Sequence, residues 1–277
     1  MQILNNKVVL ITGGSSGLGY ELAKAMFNKG AKVIICSHDE QRLMNAHNQL
    51  IKENVNILST LCDIRKITDI LEMKELIIKE YGRLDILINN VGYAVYRPFE
   101  ESSSKEIIDL LDVNLGAAMR LTSEILPIMK KQHSGIIVNI SSIAGATIVT
   151  PNAVYCAAKH GLVAWSKSLN FELKRFGISV NVVCPGLFKT NFHNHPTFQR
   201  RDPYRNKKSS QLNAGFVSLQ VIKAIEKNRL ITYVPSWHGK LVWLLNTFPV
   251  VLDPFWSLII NRRINQLYEQ IKLEKSR

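Results

Sequence analysis

KVVLITGGSSGLGYELAKAMF, residues 7–27, passes from an unbroken apolar run through a glycine-rich turn into a segment with helical periodicity. The run VVLIT offers no polar position to water, so it reads as a strand buried on both faces. Glycines let the backbone of the turn TGGSSGLG bend tightly and approach an anionic group, while a helix N-terminus presents free N–H groups to it. A tight strand-to-helix connection needs glycine with or without a ligand. Directly after a first buried strand, however, this turn is expected to cradle a pyrophosphate, with Thr12, Gly13, Ser15, Ser16, Gly17, Leu18 and Gly19 lining it.

Further along the chain, apolar runs of the same kind recur: AKVIIC, VNILSTLC, LDILINN, GIIVNISS, ISVNVVC and LITYVP. Helix-period segments such as ITDILEMKELIIKEYG separate most of them, that one ending at Gly82 as helices often do. Alternating helices and fully apolar strands predict an α/β fold: a Rossmann-like, doubly wound parallel sheet with helices on both faces, in one domain. Ligands of such sheets bind at the carboxyl ends of the strands. We expect a dinucleotide-binding and catalytic unit over residues 1–235, a substrate flap at about 187–216, and a C-terminal apolar helical extension over 236–277.

Composition narrows the function classes. The net charge of +13 is concentrated late: residues 1–188 carry 20 basic and 17 acidic side chains, residues 189–277 carry 15 and 5. A nucleic-acid role would rest on that charge alone, and no nucleic-acid partner is expected. Cys36, Cys62, Cys156 and Cys184 are far apart with no CxxC pair, so reduced structural thiols are expected and no metal site. His193 and His195 lack cysteine or carboxylate partners at ligand spacing. The N-terminus shows no signal-peptide pattern, and a cytoplasmic setting is expected.

The ends of the later strands supply the nucleotide candidates. An acid at the end of the second strand accepts the adenosine ribose hydroxyls of NAD and repels the 2′-phosphate of NADP. Here the residues are Ser37 and His38, which favours NADP(H); Asp39, one position further, keeps NAD(H) possible. Asp63 and Ile64 follow the third strand, where a side chain reaches the adenine, although Asp63 could instead cap the next helix. Asn90 and Gly92 follow the fourth strand; Asn89 and Asn90 could line the ribose or tie strand ends together.

Tyr155 and Lys159 in YCAAKHG stand four residues apart, so they share a helix face. Together with TGxxxGxG at Thr12–Gly19, Asp63, NNVG, Val113-Asn114, NISS, and Pro185-Gly186, in that order, the first 190 or so residues resemble the short-chain dehydrogenase/reductase family. The resemblance implies an NAD(P)-dependent enzyme in which Tyr155 is the catalytic acid/base and Lys159 its activator, the phenolate being stabilised by the ammonium together with the positive nicotinamide ring; both residues also contact the cofactor, Lys159 at the nicotinamide ribose hydroxyls. It implies that Ser142 donates to the developing oxyanion and that Asn114 holds a water in a proton relay. Thr190 resembles the hydroxyl residue that contacts the nicotinamide carboxamide, beside Pro185 and Gly186. Val91 stands where the family usually has Ala, and Ala158 where Ser is frequent; neither removes a reacting group. The chemistry suits the residues. Hydride addition to a ketone leaves negative charge on oxygen, and a phenol beside an ammonium can be tuned to supply the proton.

The resemblance fades after Thr190. LVWLLNTFPVVLDPFWSLII, residues 241–260, has the length of a membrane span, but Pro249, Asp253 and Pro254 are expected to interrupt it. A broken amphipathic pair fits better, either lying in a membrane interface over about 237–263 or packed on the substrate pocket or a second subunit. The expectation is an oxidoreductase of a lipophilic carbonyl or alcohol such as a steroid or long-chain ketone, assembled as a homo-dimer or tetramer. Its rivals are an NAD-linked dehydrogenase of the same fold and a non-catalytic nucleotide-binding sensor or scaffold.

Overall fold

A computed structural model describes residues 4–189 and 212–276. The strands are β1 (Val8–Thr12), β2 (Lys32–Ser37), β3 (Leu58–Leu61), β4 (Ile86–Asn89), β5 (Gly135–Ile140), β6 (Ile178–Pro185), the two-residue strands β7 (Phe188–Lys189) and β8 (Leu212–Asn213), and β9 (Ile231–Val234). Seven of them form one parallel sheet in the order β3-β2-β1-β4-β5-β6-β9, while β7 pairs with β8 alone. Every apolar run singled out in the sequence contributes a strand to the large sheet. The helices are α1 (Gly17–Phe27), α2 (Glu40–Lys52), α3 (Ile67–Tyr81), α4 (Ser104–Leu111), α5 (Ala117–Gln132), α6 (Ala153–Leu173), α7 (Ala214–Glu226), α8 (Trp237–Thr247) and α9 (Pro249–Lys275).

The all-apolar strands are explained by two cores. On one face Val9 and Ile11 of β1 pack with Leu18, Leu22 and Met26 of α1 and Val217 and Val221 of α7. On the other, Val8 and Leu10 pack with Ile70 and Met73 of α3 and Leu121 and Ile125 of α5. Alternate residues of one strand thus serve opposite layers, so a polar residue at either parity would be buried without water. The order reverses between β1 and β4, the switch point where such sheets bind ligands. Gly82 ends α3 at φ 66°, the left-handed conformation that stops a helix at little cost when the side chain is hydrogen.

The C-terminal helices depart from the expected pattern. The break falls at Phe248, with Pro249 in the first turn of α9, but Pro254 does not interrupt that helix. A proline near a helix start forfeits one backbone hydrogen bond, and the remaining turns hold the element together. Leu267 and Ile271, near the other end of α9, are buried against Ala94, Tyr96, Leu110 and Tyr155. Among the described residues, no helix is long and apolar enough to cross a membrane. Thr190, His193, His195 and the basic residues of the expected flap lie outside the described residues.

Candidate active site

The turn after β1 is fixed from below by Asn90. Its Nδ2 donates to the Thr12 carbonyl at 2.9 Å, and its backbone N–H donates to Thr12 Oγ1 at 3.0 Å. The Asn90 amide thus makes the strand-end tie. Gly13 has φ 64°, and a Cβ on Gly19 would collide with the Gly13 carbonyl and lie 2.8 Å from Asn90 Nδ2. The first turn of α1 therefore sits directly on the loop, which only glycine permits. Ser16 precedes α1 without a side-chain cap, and Leu18 is buried in the core beneath. Val91 Cγ2 occupies the space 3.1 Å from where a Gly13 Cβ would stand, so the larger residue at position 91 is accommodated by that glycine.

At the end of β2, Ser37 Oγ accepts a hydrogen bond from Ser15 Oγ at 3.1 Å and another from the Asp39 backbone N–H at 3.2 Å. Ser37 is thus tied to the phosphate loop. Asp39 is the N-cap of α2, its carboxylate accepting the Arg42 backbone N–H at 3.0 Å and pairing with Arg42 Nε at 3.1 Å. His38 lies between them, near enough to Asp63 to favour its ionised form. Asp63 is not the cap of α3, which begins beyond Lys66. Instead Asp63 Oδ1 accepts the Arg65 backbone N–H at 3.0 Å and Oδ2 pairs with the Arg65 guanidinium at 2.7 Å. Those bonds hold its carboxyl below the usual range. Ile64 beside it is buried in the second core.

Asn89 takes no part in the surface of this cleft. Its Nδ2 donates to Asn139 Oδ1 at 2.8 Å and Thr122 Oγ1 at 3.1 Å, and Asn139 Nδ2 donates to Ser166 Oγ at 2.8 Å. This buried chain ties β4 and β5 to α5 and α6 behind the site.

The reacting groups converge at the end of β5. Ser141 Oγ points back and donates to the Lys159 carbonyl at 3.2 Å, whereas the Ser142 hydroxyl accepts the Ala144 N–H at 3.2 Å and is hydrogen-bonded to Tyr155. Adjacent residues of an extended segment face opposite ways, so only one of the two serines reaches the phenol. Lys159 Nζ lies 5.7 Å from the centre of the Tyr155 ring and donates to the Ile140 carbonyl at 3.0 Å. Burial pushes the Tyr155 phenol up, outweighing the Ser142 bond that draws it down. Burial likewise pushes Lys159 down to about 8. Gly92 faces Lys159 Nζ and Asn114 Oδ1.

Asn114 lies in a π-helical turn, Asp112–Gly116, between α4 and α5, and is not a helix cap. Its Nδ2 donates to the carbonyls of Tyr93 and Leu110, both at 2.9 Å, while Oδ1 accepts the Tyr93 N–H at 3.2 Å. The amide is therefore rigidly held, with one lone pair of Oδ1 remaining for a further donor. Pro185 ends β6, and the Gly186 N–H donates to the Val234 carbonyl at 2.7 Å. The His238 ring of α8 rests on Gly186, so a Cβ there would collide with it. Sequence reasoning did not single out His238: no spacing rule links it to a glycine 52 residues earlier.

The short chain dehydrogenase family profile matches residues 7–200. A putative ketoacyl reductase of Streptomyces coelicolor is 34% identical over 192 residues, covering 69% of this chain and 74% of that protein. An uncharacterized oxidoreductase of Saccharomyces cerevisiae is 32% identical over 250 residues, covering 87% of this chain and 78% of the other. Among solved structures, a variant of actinorhodin polyketide ketoreductase with NADPH superposes with a TM-score of 0.76 at 27% identity, covering 86% of this chain and 99% of that one. The chain belongs to the short-chain dehydrogenase/reductase family. It is an oxidoreductase of that family.

Proposed function

We propose that this chain interconverts a ketone and a secondary alcohol of a lipophilic molecule, using NADP(H). The observation that carries the reading is the Ser142–Tyr155–Lys159 group, with a phenol bonded to Ser142 on one side and a lysine held at the strand end on the other. The glycine turn pinned by Asn90 fits a dinucleotide pyrophosphate, and when bound the nicotinamide ring supplies the hydride. Thr12, Gly13, Ser15, Ser16, Gly17, Leu18 and Gly19 would hold the phosphates; Asp63, Ile64, Asn90 and Gly92 the adenosine side; Pro185, Gly186 and Thr190 the nicotinamide. Tyr155 donates its proton to the substrate oxygen, and Ser142 gives a hydrogen bond to the same atom as charge develops on it. Asn114, whose Oδ1 faces Gly92 as Lys159 Nζ does, would hold the water that relays the replacement proton. The apolar surroundings of Tyr155, including Tyr96, Leu110, Leu267 and Ile271, support a lipophilic substrate. A screen of lipid ketones with NADPH, following absorbance, tests the reading; cofactor binding without turnover on any carbonyl would favour the sensor instead.

NADP(H) is favoured because Asp39 is committed to capping α2, leaving Ser37 and His38 at the strand end. Ser37→Asp is expected to weaken NADPH by at least tenfold, through repulsion of the 2′-phosphate, and to leave NADH unchanged or tighter. Fluorescence titration of both cofactors measures this. A wild type that prefers NADH overturns the assignment.

A second reading concerns the membrane, and the exposed apolar side chains of the α8–α9 junction favour it. Trp243, Phe248, Val250, Phe255 and Leu258 all face solvent, with Lys240 and Arg262 exposed nearby. Apolar insertion with basic residues at headgroup level would keep the enzyme at the surface of a cytoplasmic membrane leaflet. Flotation with anionic liposomes is expected at low salt, to fall with added salt, and to weaken several-fold in Trp243→Ser/Phe255→Ser with cofactor affinity unchanged. A protein that stays unbound at low salt and elutes as a dimer or tetramer would assign the patch to subunit contact.

A further inference from the structure

Ser141, the serine that turns away from the phenol, is buried, and so is Cys184 near the end of β6. Neither takes part in the chemistry described above. Both ends of Lys159 are held by the end of β5: its ammonium donates to the Ile140 carbonyl at 3.0 Å, and its own backbone carbonyl accepts from Ser141 Oγ at 3.2 Å. Consecutive residues of one strand end thus grip the tip and the root of one side chain. Ser141 is itself pinned, since its backbone N–H donates to the Val183 carbonyl of β6 at 2.8 Å. The next residue of β6 is Cys184, whose thiol is hydrogen-bonded to the Ser141 hydroxyl. That hydroxyl has one hydrogen, already given to Lys159, so it accepts from the thiol. Burial pushes the thiol up to about 12, which keeps the S–H donor in place throughout the neutral range. A Cβ on Gly145 would stand 2.5 Å from Ser141 Oγ and 2.6 Å from the Lys159 carbonyl oxygen, so the turn Ile143–Gly145 lies directly on the bond and leaves water no room on that side.

The series of bonds from the Cys184 thiol through the Ser141 hydroxyl to the Lys159 carbonyl runs from β6 across β5 to α6, inside the protein. Bonds in such a series strengthen one another where water is excluded. They join α6 to the strand ends at the residue whose ammonium the chemistry needs. We propose that Ser141 and Cys184 are positioning residues: they clamp the α6 backbone at Lys159 to the ends of β5 and β6, so that Lys159 and Tyr155, one turn earlier, keep their places opposite Ser142. The inference rests on the catalytic reading above and adds to it two residues that act through Lys159 rather than on the substrate. A displacement of about 1 Å at a reacting group costs about 10²-fold in rate, so a clamp of this kind has an effect out of proportion to the strength of its bonds.

The experiment titrates Lys159 in the cofactor-free protein through the NMR signal of carbon-13-labelled lysine Cε, assigned by its loss in Lys159→Met, and reads kcat, KM and Tm beside it. Tyr155 and Cys184 are the titratable groups that bear on the ammonium, and Ser141→Ala alters the charge of neither. That substitution removes one oxygen and adds no bulk. With the root of the side chain released, the ammonium gains water, and its titration is expected to rise from about 8 to about 9 or above. In the same variant kcat is expected to fall at least tenfold, with KM within threefold of the wild type. Cys184→Ala should produce both changes in weaker form, and Cys184→Ser, which keeps a donor at that place, should restore wild-type values within threefold. Because the two groups act through one series of bonds, Cys184→Ala in the Ser141→Ala background is expected to cost less than a further threefold. Should Cys184→Ala fail to fold, Ser141→Ala decides alone. A Lys159 titration still at about 8 in Ser141→Ala, with only Tm lowered, means that the bonds serve the fold alone and overturns the proposal. So does a kcat within threefold of the wild type, or a Cys184→Ser protein no better than Cys184→Ala. If the wild type turns over no ketone, the catalytic reading falls, and the titration by itself still decides whether the clamp holds Lys159.

Discussion

Tyr155→Phe is expected to lower kcat/KM by about 10²–10⁴-fold while NADPH affinity changes less than threefold, measured by turnover on the best ketone and by fluorescence titration. The substitution removes one oxygen, and that oxygen is the proton donor. Under the proposed function the nucleotide is held at several strand ends, so loss of one phenol oxygen leaves most of those contacts in place. Because the phenol's interaction is made in the transition state, the loss should appear in kcat rather than in KM. The lost bond to Ser142 costs the fold only about 1 kcal/mol, which circular dichroism would register as a small shift in Tm. Ser142→Ala is expected to do less, since it removes one hydrogen bond to the oxyanion and leaves the proton donor in place. Activity of Tyr155→Phe within tenfold of the wild type would assign the proton to another group.

The sheet was legible from sequence because burial on both faces writes itself into every strand as an unbroken apolar run. The pair Tyr155 and Lys159 was legible because helix geometry converts a spacing of four into one face. Ser142 was legible from the family pattern, and the direction of the strand end is what turns it, and not Ser141, toward the phenol. What was hidden has a common cause: it depends on contacts between distant segments. The Asn90 amide ties the phosphate loop to the end of β4, a contact between residues 78 positions apart. That Asp39 caps α2 shows only once the start of that helix is placed. Spacing conveys the proximity of Lys159 to Tyr155 but says nothing of desolvation, which raises the one group and lowers the other in this apolar setting.

That desolvation makes Lys159→Met a test with an unusual sign. Lys159 is almost fully buried, and burial lowers its ammonium from 10.5 to about 8. The unfolded chain therefore binds this proton more tightly than the native one. The stability contributed by the group is complete above pH 10.5, declines as pH falls through that window and is lost at about 8, so the whole penalty applies at pH 7. At about 1.4 kcal/mol for each pH unit crossed, the penalty is about 3 kcal/mol. Methionine has similar length and no charge to desolvate. It forfeits the bond to the Ile140 carbonyl, worth about 1 kcal/mol, so the net effect on the cofactor-free protein at pH 7 is a gain of about 2 kcal/mol. For a domain of this size that raises Tm by about 4–8 °C. The advantage should shrink between pH 8 and 10.5 and vanish or reverse above it. Other alkaline groups titrate equally in both proteins and cancel. Over the same range turnover should fall by about 10²-fold or more, because the charge that stabilises the phenolate and binds the ribose is gone. A variant less stable than the wild type by the same margin at pH 7 and pH 10.5 would mean that Lys159 serves packing and not charge. The expected pattern, a sturdier and inactive protein, identifies Lys159 as a residue kept in the core for chemistry at the expense of stability.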